Sequence, residues 1–179
     1  MNFIPMSSHL ESIKKAKSML PNMPNEVFDT WLFPIIRDHN AWPYLNIFSP
    51  HPSLQWSKYC GLFTLYDIAD LVWDKLPLSF DMTCLDPVSN NTIKVLIKNN
   101  VHNFDTTGRF NVVNSKSRFF GFVEFIQRTG TIPAPIIGVN TDTGLRILDG
   151  NHRLSALTYL KLRGKIKCDT WVGHPIVKQ

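Results

Sequence analysis

The pattern of apolar and polar residues is most regular in the C-terminal third of the chain. An apolar run with β-branched residues at 135–139 predicts a strand. Turn-forming residues follow, including Gly144, which can adopt a positive φ, and the pattern at 145–148 predicts the returning strand of a hairpin. From Leu154 onward, apolar residues recur at helical spacing, with Gly164 as the predicted C-cap. A hairpin that leads directly into a helix is therefore predicted.

Elsewhere the apolar spacing predicts helices before residue 80 and a mixture of strands and helices after it. The predicted helices are 8–20, 24–37, 62–76, 91–99 and 119–128, and the predicted further strands are 80–85, 109–113 and 167–172. Short strands that alternate with helices indicate an α+β (or α/β) core. We therefore predict an N-terminal helical extension over 1–79 and a core over 80–179, which together can form one compact domain.

Composition is that of a globular protein with an interior of ordinary size. The chain has 179 residues, of which 44% are hydrophobic and 12% aromatic, and this argues against disorder. The net charge of +5 permits an anionic partner without identifying it. The first 20 residues contain several charges and no long apolar run, so we expect neither a signal peptide nor a membrane span, and no membrane partner.

Cysteine and histidine usage excludes some classes of site. Cys60, Cys84 and Cys168 are an odd number and stand far apart, which indicates a reducing, cytoplasmic location rather than a disulfide framework or a zinc ribbon. Four histidines, His9, His39, His51 and His102, lack the close spacing that metal ligands usually show, so no metal site is predicted.

A polar segment, Asp149-Gly150-Asn151-His152-Arg153, lies between the predicted hairpin and its helix. Phosphate oxygens bind readily at a helix N-terminus, which carries unpaired N–H groups and partial positive charge. Gly150 allows a phosphate to approach the backbone, Arg153 can donate two hydrogen bonds, and His152 is a donor that strengthens on protonation. Asp149 can cap the helix, orient His152 or accept a proton. The alternative interpretation is an ordinary turn followed by a solvated helix end.

The sequence ILDGNHRLSAL resembles the ParB/sulfiredoxin superfamily, in which a strand ends in a Gly-x-His-Arg or Gly-x-Arg-Arg loop before an amphipathic helix. Nucleotide-dependent partition proteins, sulfiredoxins, a free-serine kinase and small phage or plasmid proteins belong to it. The resemblance covers residues 82–172 and implies a small mixed sheet with flanking helices. It also implies that Gly150, Asn151, His152 and Arg153 contact nucleotide phosphates.

Two further positions refine the resemblance. Leu85-Asp86-Pro87 and the predicted helix after it are similar to the segment that precedes the core of sulfiredoxins, and this similarity implies a phosphate contact from the Thr92 hydroxyl. Sulfiredoxin chemistry needs a cysteine directly before the His-Arg pair. Asn151 stands there and has no nucleophilic sulfur, so repair of oxidised peroxiredoxin is not expected.

The predicted function is that of a nucleotide-phosphate-binding enzyme that catalyses phosphoryl transfer or nucleotide hydrolysis. Its ligand is a nucleoside di- or triphosphate, together with Mg²⁺, because such chemistry depends on charge neutralisation and positioning. Gly150 and Asn151 present backbone donors. Asp149, His152 and Arg153 are the predicted catalytic residues, although none of them is an assured base.

Two other functions stay open. The same loop can bind the backbone of a nucleic acid, in a DNA-binding protein or nuclease, with help from Arg109, Lys116 and Arg118. Lys116 and Arg118 can approach the same phosphates from a neighbouring loop, but the favoured interpretation is that they lie on a solvated helix start. A non-catalytic phage- or plasmid-type inhibitor would instead dock a protein partner through its aromatic N-terminal part, near Trp42 or Trp56.

Overall fold

The fold is described by a computed structural model over residues 6–34, 65–80, 84–102 and 112–175. It is an α+β protein, as predicted, with helices and a four-stranded mixed sheet. The chain divides into two compact units, one formed by residues 1–74 with 173–179 and the other by residues 75–172. Among the described helices, none is both long and apolar enough to cross a membrane.

The strands are β1 (Leu71–Ser79), β2 (Ile136–Thr141), β3 (Gly144–Asp149) and β4 (Lys167–Pro175). Their order in the sheet is β1, β4, β2, β3. The predicted hairpin is confirmed, since β2 and β3 pair in antiparallel fashion with Val139 opposite Arg146. Gly144 turns the chain with a φ of 123°, a conformation that side-chain-bearing residues rarely adopt.

The described elements that precede β1 are all helical. They are α1 (Met6–Met19), α2 (Asn25–Val27), a π-helical continuation of α2 (Phe28–Leu32) and α3 (Leu65–Ala69). α1 contacts α3. Apolar burial is the main source of stability of these helices and the turn between them. The buried side chains include Ala16, Leu20, Val27, Phe28, Trp31 and Leu32.

β1 occupies residues for which the apolar spacing predicted a helix over 62–76. The buried Leu71 and Trp73 flank the exposed Val72, which is the two-residue period of a strand. A short apolar run fits both the helical period and the strand period, so pairing with another strand decides which structure forms here. The helix prediction is therefore wrong beyond α3, and residues 62–64 lie outside the described residues.

Three helices pack around the C-terminal hairpin: α4 (Pro87–His102), α5 (Val112–Thr129) and α6 (Asn151–Tyr159). α6 contacts both α4 and α5, and its residues from Arg153 to Leu157 are all buried. Each fully buried aliphatic or aromatic side chain contributes about 1.5–3 kcal/mol. The core consists of Phe80, Leu85, Ile93, Phe119, Val123, Ile126, Ile136, Leu145, Ile147, Leu154, Ala156, Leu157, Cys168 and Val172.

Some predicted boundaries in this unit are wrong. Residues 112–113 begin α5 rather than ending a strand, and of the predicted strand 80–85 the described part contributes one bridge, from Leu85 to Leu145. α6 ends at Tyr159, because the chain turns at Lys161 with a positive φ of 56°. Gly164 therefore does not cap it.

Asp86 joins α4 to β3. Its fully buried carboxylate accepts the Ser89 backbone N–H at 2.8 Å, at the start of α4, and forms an ion pair with Arg146 of β3. The Ser89 hydroxyl oxygen accepts the Ile147 N–H at 2.8 Å. These bonds fix β3 against α4, and therefore fix the end of β3, where the polar loop begins.

Candidate functional site

The loop between β3 and α6 depends on Gly150, the N-cap residue of α6. Gly150 has a φ of 105° and a ψ of 5°, and its carbonyl accepts the Leu154 N–H at 2.9 Å. A Cβ at this position would overlap the Ile136 Cδ1 atom. Glycine is therefore required both by the backbone conformation and by contact with β2.

Arg153 is a buried cation, with only 6% of its surface exposed. Its Nη2 donates to Asp149 Oδ2 at 2.5 Å, one helical turn earlier. Burial of an unpaired guanidinium would be costly, so this ion pair both compensates the charge and fixes the group. Asp149 thus pairs with Arg153, and no side chain caps the start of α6.

His152 belongs to a hydrogen-bond chain that crosses three helices. Its Nε2 lies 3.2 Å from the Ser115 hydroxyl of α5. That hydroxyl donates to Asn100 Oδ1 of α4 at 3.2 Å, and Asn100 Nδ2 donates to the Leu96 carbonyl at 2.8 Å. Ser115 and Asn100 were not predicted as site residues, because they reach His152 only through the packing of α4, α5 and α6.

His152 is neutral at neutral pH. Its pKa is lowered from 6.5 to about 4, first by burial and then by the positive charges of Arg118 and Arg153. The sequence predicts His152 as a hydrogen-bond donor that strengthens on protonation. In the protein without ligand, that protonation is confined to acid pH.

A cleft of about 220 Å³ lies beside this loop. Arg118 and Phe122 of α5 line one part of it, opposite the loop and the first turn of α6. Arg118 is exposed and has no carboxylate partner among the described residues. Among the described lining residues, two guanidinium groups therefore face a single carboxylate, and that carboxylate already pairs with Arg153. The described lining residues are Arg118, Phe122, Asp149, Gly150, His152 and Arg153.

The structure brings together most, but not all, of the predicted site residues. Asp149, Gly150, His152 and Arg153 line the cleft together with Arg118, whereas Lys116 is not among the described lining residues. Asn151 is the first residue of α6 and is not part of the lining. Thr92 lies on α4, is not part of the lining, and donates its hydroxyl to the Val88 carbonyl at 2.9 Å.

The donor set of the cleft fits phosphate groups better than a protein-held cation. Glycine at a helix start and two arginines are typical phosphate ligands. Among the described residues, no three His, Cys, Asp or Glu side chains form a metal-binding group. A Mg²⁺ ion accompanying a nucleotide would be held by phosphate oxygens and water, and Asp149 is the carboxylate that the described lining offers it.

Comparisons with protein-family models, with curated proteins and with solved structures give no match. The chemistry of the cleft is therefore the basis on which a function is assigned.

Proposed function

We propose that the cleft binds the phosphate groups of a nucleoside di- or triphosphate, and that the protein catalyses phosphoryl transfer or nucleotide hydrolysis. The observation that carries the proposal is the convergence of Arg118, Arg153 and the Gly150 helix start on one cleft. These elements come from two separate helices and a strand end. Electrostatic stabilisation of a transferring phosphoryl group needs this kind of convergent positive charge.

The two arginines have different roles in the proposal. Arg153 is buried and held by Asp149, so its position is set before a ligand arrives. A group that needs no reorganisation stabilises a developing charge most effectively. Arg118 is exposed and can close onto the ligand from α5, which adds a second guanidinium to the same phosphate chain.

The size of the cleft limits which part of the ligand it encloses. Pockets that bury a whole drug-sized ligand measure roughly 300–1,000 Å³, and this cleft is smaller, at about 220 Å³. It accommodates a phosphate chain, with the sugar and base placed outside. The half-buried ring of Phe122 at the cleft offers an apolar face to the base or sugar.

The ParB/sulfiredoxin resemblance supports the same assignment, because the segment that carries it, residues 149–153, provides most of the cleft. Membership of that superfamily is part of the proposal. The implied contact from Thr92 is not, since its hydroxyl is bonded to its own helix.

A second candidate is a nucleic-acid ligand. Lys116 and Arg118 are both exposed on α5, so a phosphate backbone could run from the cleft along this helix. The two candidates differ in which side chains matter. Of these two α5 side chains, a nucleotide in the cleft contacts Arg118 and not Lys116, whereas a nucleic acid along α5 contacts both.

The test is calorimetric titration of ATP, ADP, CTP and GTP, each with Mg²⁺, into the wild-type protein and two variants. Arg118→Ala removes the exposed cleft arginine, and Lys116→Ala is the matched control, two residues away and outside the cleft. Arg118→Ala removes a charge-assisted hydrogen bond worth about 1.5–3 kcal/mol, so we expect the affinity for the nucleotide to fall roughly 10- to 100-fold. Lys116→Ala should bind like the wild type.

Absence of binding by all four nucleotides would contradict the proposal. Binding of a single-stranded oligonucleotide that weakens in both variants, and falls steeply with salt, would favour the second candidate.

A further inference from the structure

The direction of each hydrogen bond in the Asn100–Ser115–His152 chain can be derived from its far end. The Leu96 carbonyl can only accept, so the Asn100 atom that faces it, at 2.8 Å, must be the amide nitrogen. The other amide atom, Oδ1, therefore faces Ser115 and can only accept. Ser115 has one hydroxyl proton, and Asn100, which is 2% exposed, requires it.

The tautomer of His152 follows from this direction. Since the Ser115 proton goes to Asn100, the Ser115 oxygen can only accept from His152 Nε2, 3.2 Å away. The neutral ring then carries its proton on Nε2 and its lone pair on Nδ1. The opposite tautomer would direct the Ser115 proton to Nε2 and take from the buried Asn100 oxygen the donor that the described residues give it.

We propose that His152 is the catalytic base of the cleft, accepting at Nδ1 the proton of the attacking hydroxyl, and that Ser115 and Asn100 are positioning residues that hold it in this tautomer. The proposal rests on the phosphoryl-transfer function proposed above. It supplies the base that the polar segment, considered by itself, did not reveal.

The step balances without any further reagent. The oxygen of water or of an alcohol substrate forms a bond to the transferred phosphorus, and its proton passes to Nδ1. The bond between phosphorus and the leaving oxygen breaks, and the electron pair stays on that oxygen. The imidazolium then returns the proton to the leaving group or to solvent, while Nε2–H continues to donate to Ser115.

The charges around His152 connect its basicity to the presence of the ligand. Arg118 of α5 and Arg153 of α6 disfavour the imidazolium, Asp149 at the end of β3 pairs with Arg153, and α4 contributes the uncharged Asn100. A bound phosphate chain would offset the two guanidinium charges. The pKa of His152 then rises from about 4 by the part that the two guanidinium groups contribute, whereas the larger cause of its lowering, burial, remains; a higher pKa makes the ring a stronger base.

The first experiment measures the tautomer directly, without a ligand. The two imidazole nitrogens of His152 are observed by ¹⁵N NMR in the histidine-labelled protein at neutral pH, with His152→Gln used to assign them. The expected spectrum shows a protonated Nε2 and an unprotonated Nδ1. Ser115→Ala should give a mixture of tautomers, whereas Ser117→Ala, an exposed serine on the same helix, should leave the spectrum unchanged.

A protonated Nδ1 in the wild type, or a tautomer unaffected by Ser115→Ala, would overturn the proposal whatever the protein binds. Pyrophosphate is then added as the probe. A rise of about one unit or more in the titration midpoint of His152 is expected when the probe is saturating. If the tautomer is as expected but neither pyrophosphate nor any of the four nucleotides binds, the proposed function is wrong. The base role is then also wrong, because it depends on that function and not because of the tautomer.

A third measurement separates a base from a binding group. His152→Gln should bind the preferred nucleotide nearly as well as the wild type, while kcat for phosphate release falls roughly 10²- to 10⁴-fold. Equal losses in binding and turnover would show that His152 acts as a ligand contact and would overturn the base assignment.

Discussion

At the scale of single residues, Gly150 is constrained twice, by its backbone angle and by its contact with Ile136. Two other glycines separate these effects. Gly164 has a φ of 74° with nothing near its absent side chain, and Gly121 lies in α5 with neither constraint. The three positions therefore provide a graded series for the same substitution.

We expect Gly150→Ala to lower the free energy of unfolding by about 2–4 kcal/mol, since backbone strain adds to overpacking against Ile136. Gly164→Ala should cost about 1–2 kcal/mol from strain alone. Gly121→Ala should stabilise by about 0.5–1 kcal/mol, because alanine favours a helix interior. Urea denaturation of the three variants measures this order. Equal effects at Gly150 and Gly164 would contradict the contact with Ile136.

His152 makes stability depend on pH with a defined sign. Its pKa is about 4 in the folded protein and 6.5 in an unfolded chain, so the unfolded state binds more protons between these values. The contribution of His152 is complete above pH 6.5 and is lost as pH falls toward 4. Other groups titrate in this range, so the measurement is a difference. The denaturation midpoint of His152→Gln should fall less steeply with acid than that of the wild type.

The residues of the cleft differ in how far the sequence could reveal them. Asp149 to Arg153 are contiguous, and a glycine between a strand and a helix is a local signal. The only indication for Arg118 in the sequence is its positive charge, which is equally typical of a residue on the solvated face of a helix. Ser115 and Asn100 have no recognisable sequence signal. Ser115 is 37 residues before His152, and Asn100 is a further 15 residues before Ser115, so the three side chains meet only after their helices have packed.

At the scale of elements, hairpin and helix predictions succeeded where turn chemistry and period agreed. Gly144 and the alternation on either side of it fixed the β2–β3 hairpin. The prediction failed at β1, because Leu71, Val72 and Trp73 fit both the helical and the strand period. The strand that pairs with β1 is β4, from the far end of the chain. β1 stands at one end of the strand order, which is where a residue such as Pro77 is tolerated.

The junction of α4 and β3 supports the cleft through Asp86. Asp86→Asn keeps an oxygen for the Ser89 N–H but removes the charge opposite Arg146. Loss of one partner of a buried ion pair costs about 3–5 kcal/mol. Asp142→Asn, on the exposed hairpin turn, is the matched control and should change stability by less than about 0.5 kcal/mol. Denaturant unfolding compares the two, and equal midpoints would show that the pair contributes nothing.

At the scale of the whole molecule, Cys168 reports the opening of the unit formed by residues 75–172. It lies on β4 in the core, is 2% exposed, and burial raises the pKa of its thiol from 9.0 to about 11. Both burial and the small thiolate fraction suppress alkylation of the folded protein. Labelling of Cys168 by iodoacetamide, read by mass spectrometry, therefore requires the unit to open.

This dependence connects the cleft to global stability. A ligand that binds only the folded unit slows opening-limited labelling by the factor 1 + [L]/Kd, which is about 100-fold at 100 times Kd. We expect pyrophosphate to protect Cys168 by this factor in the wild type and much less in Arg118→Ala at the same concentration. The half-buried Cys84 serves as an internal comparison that labels faster. Substitution of the exposed Arg118 leaves the core around Cys168 unchanged. Equal protection of Cys168 in the wild type and in Arg118→Ala would therefore show that pyrophosphate binds outside the cleft.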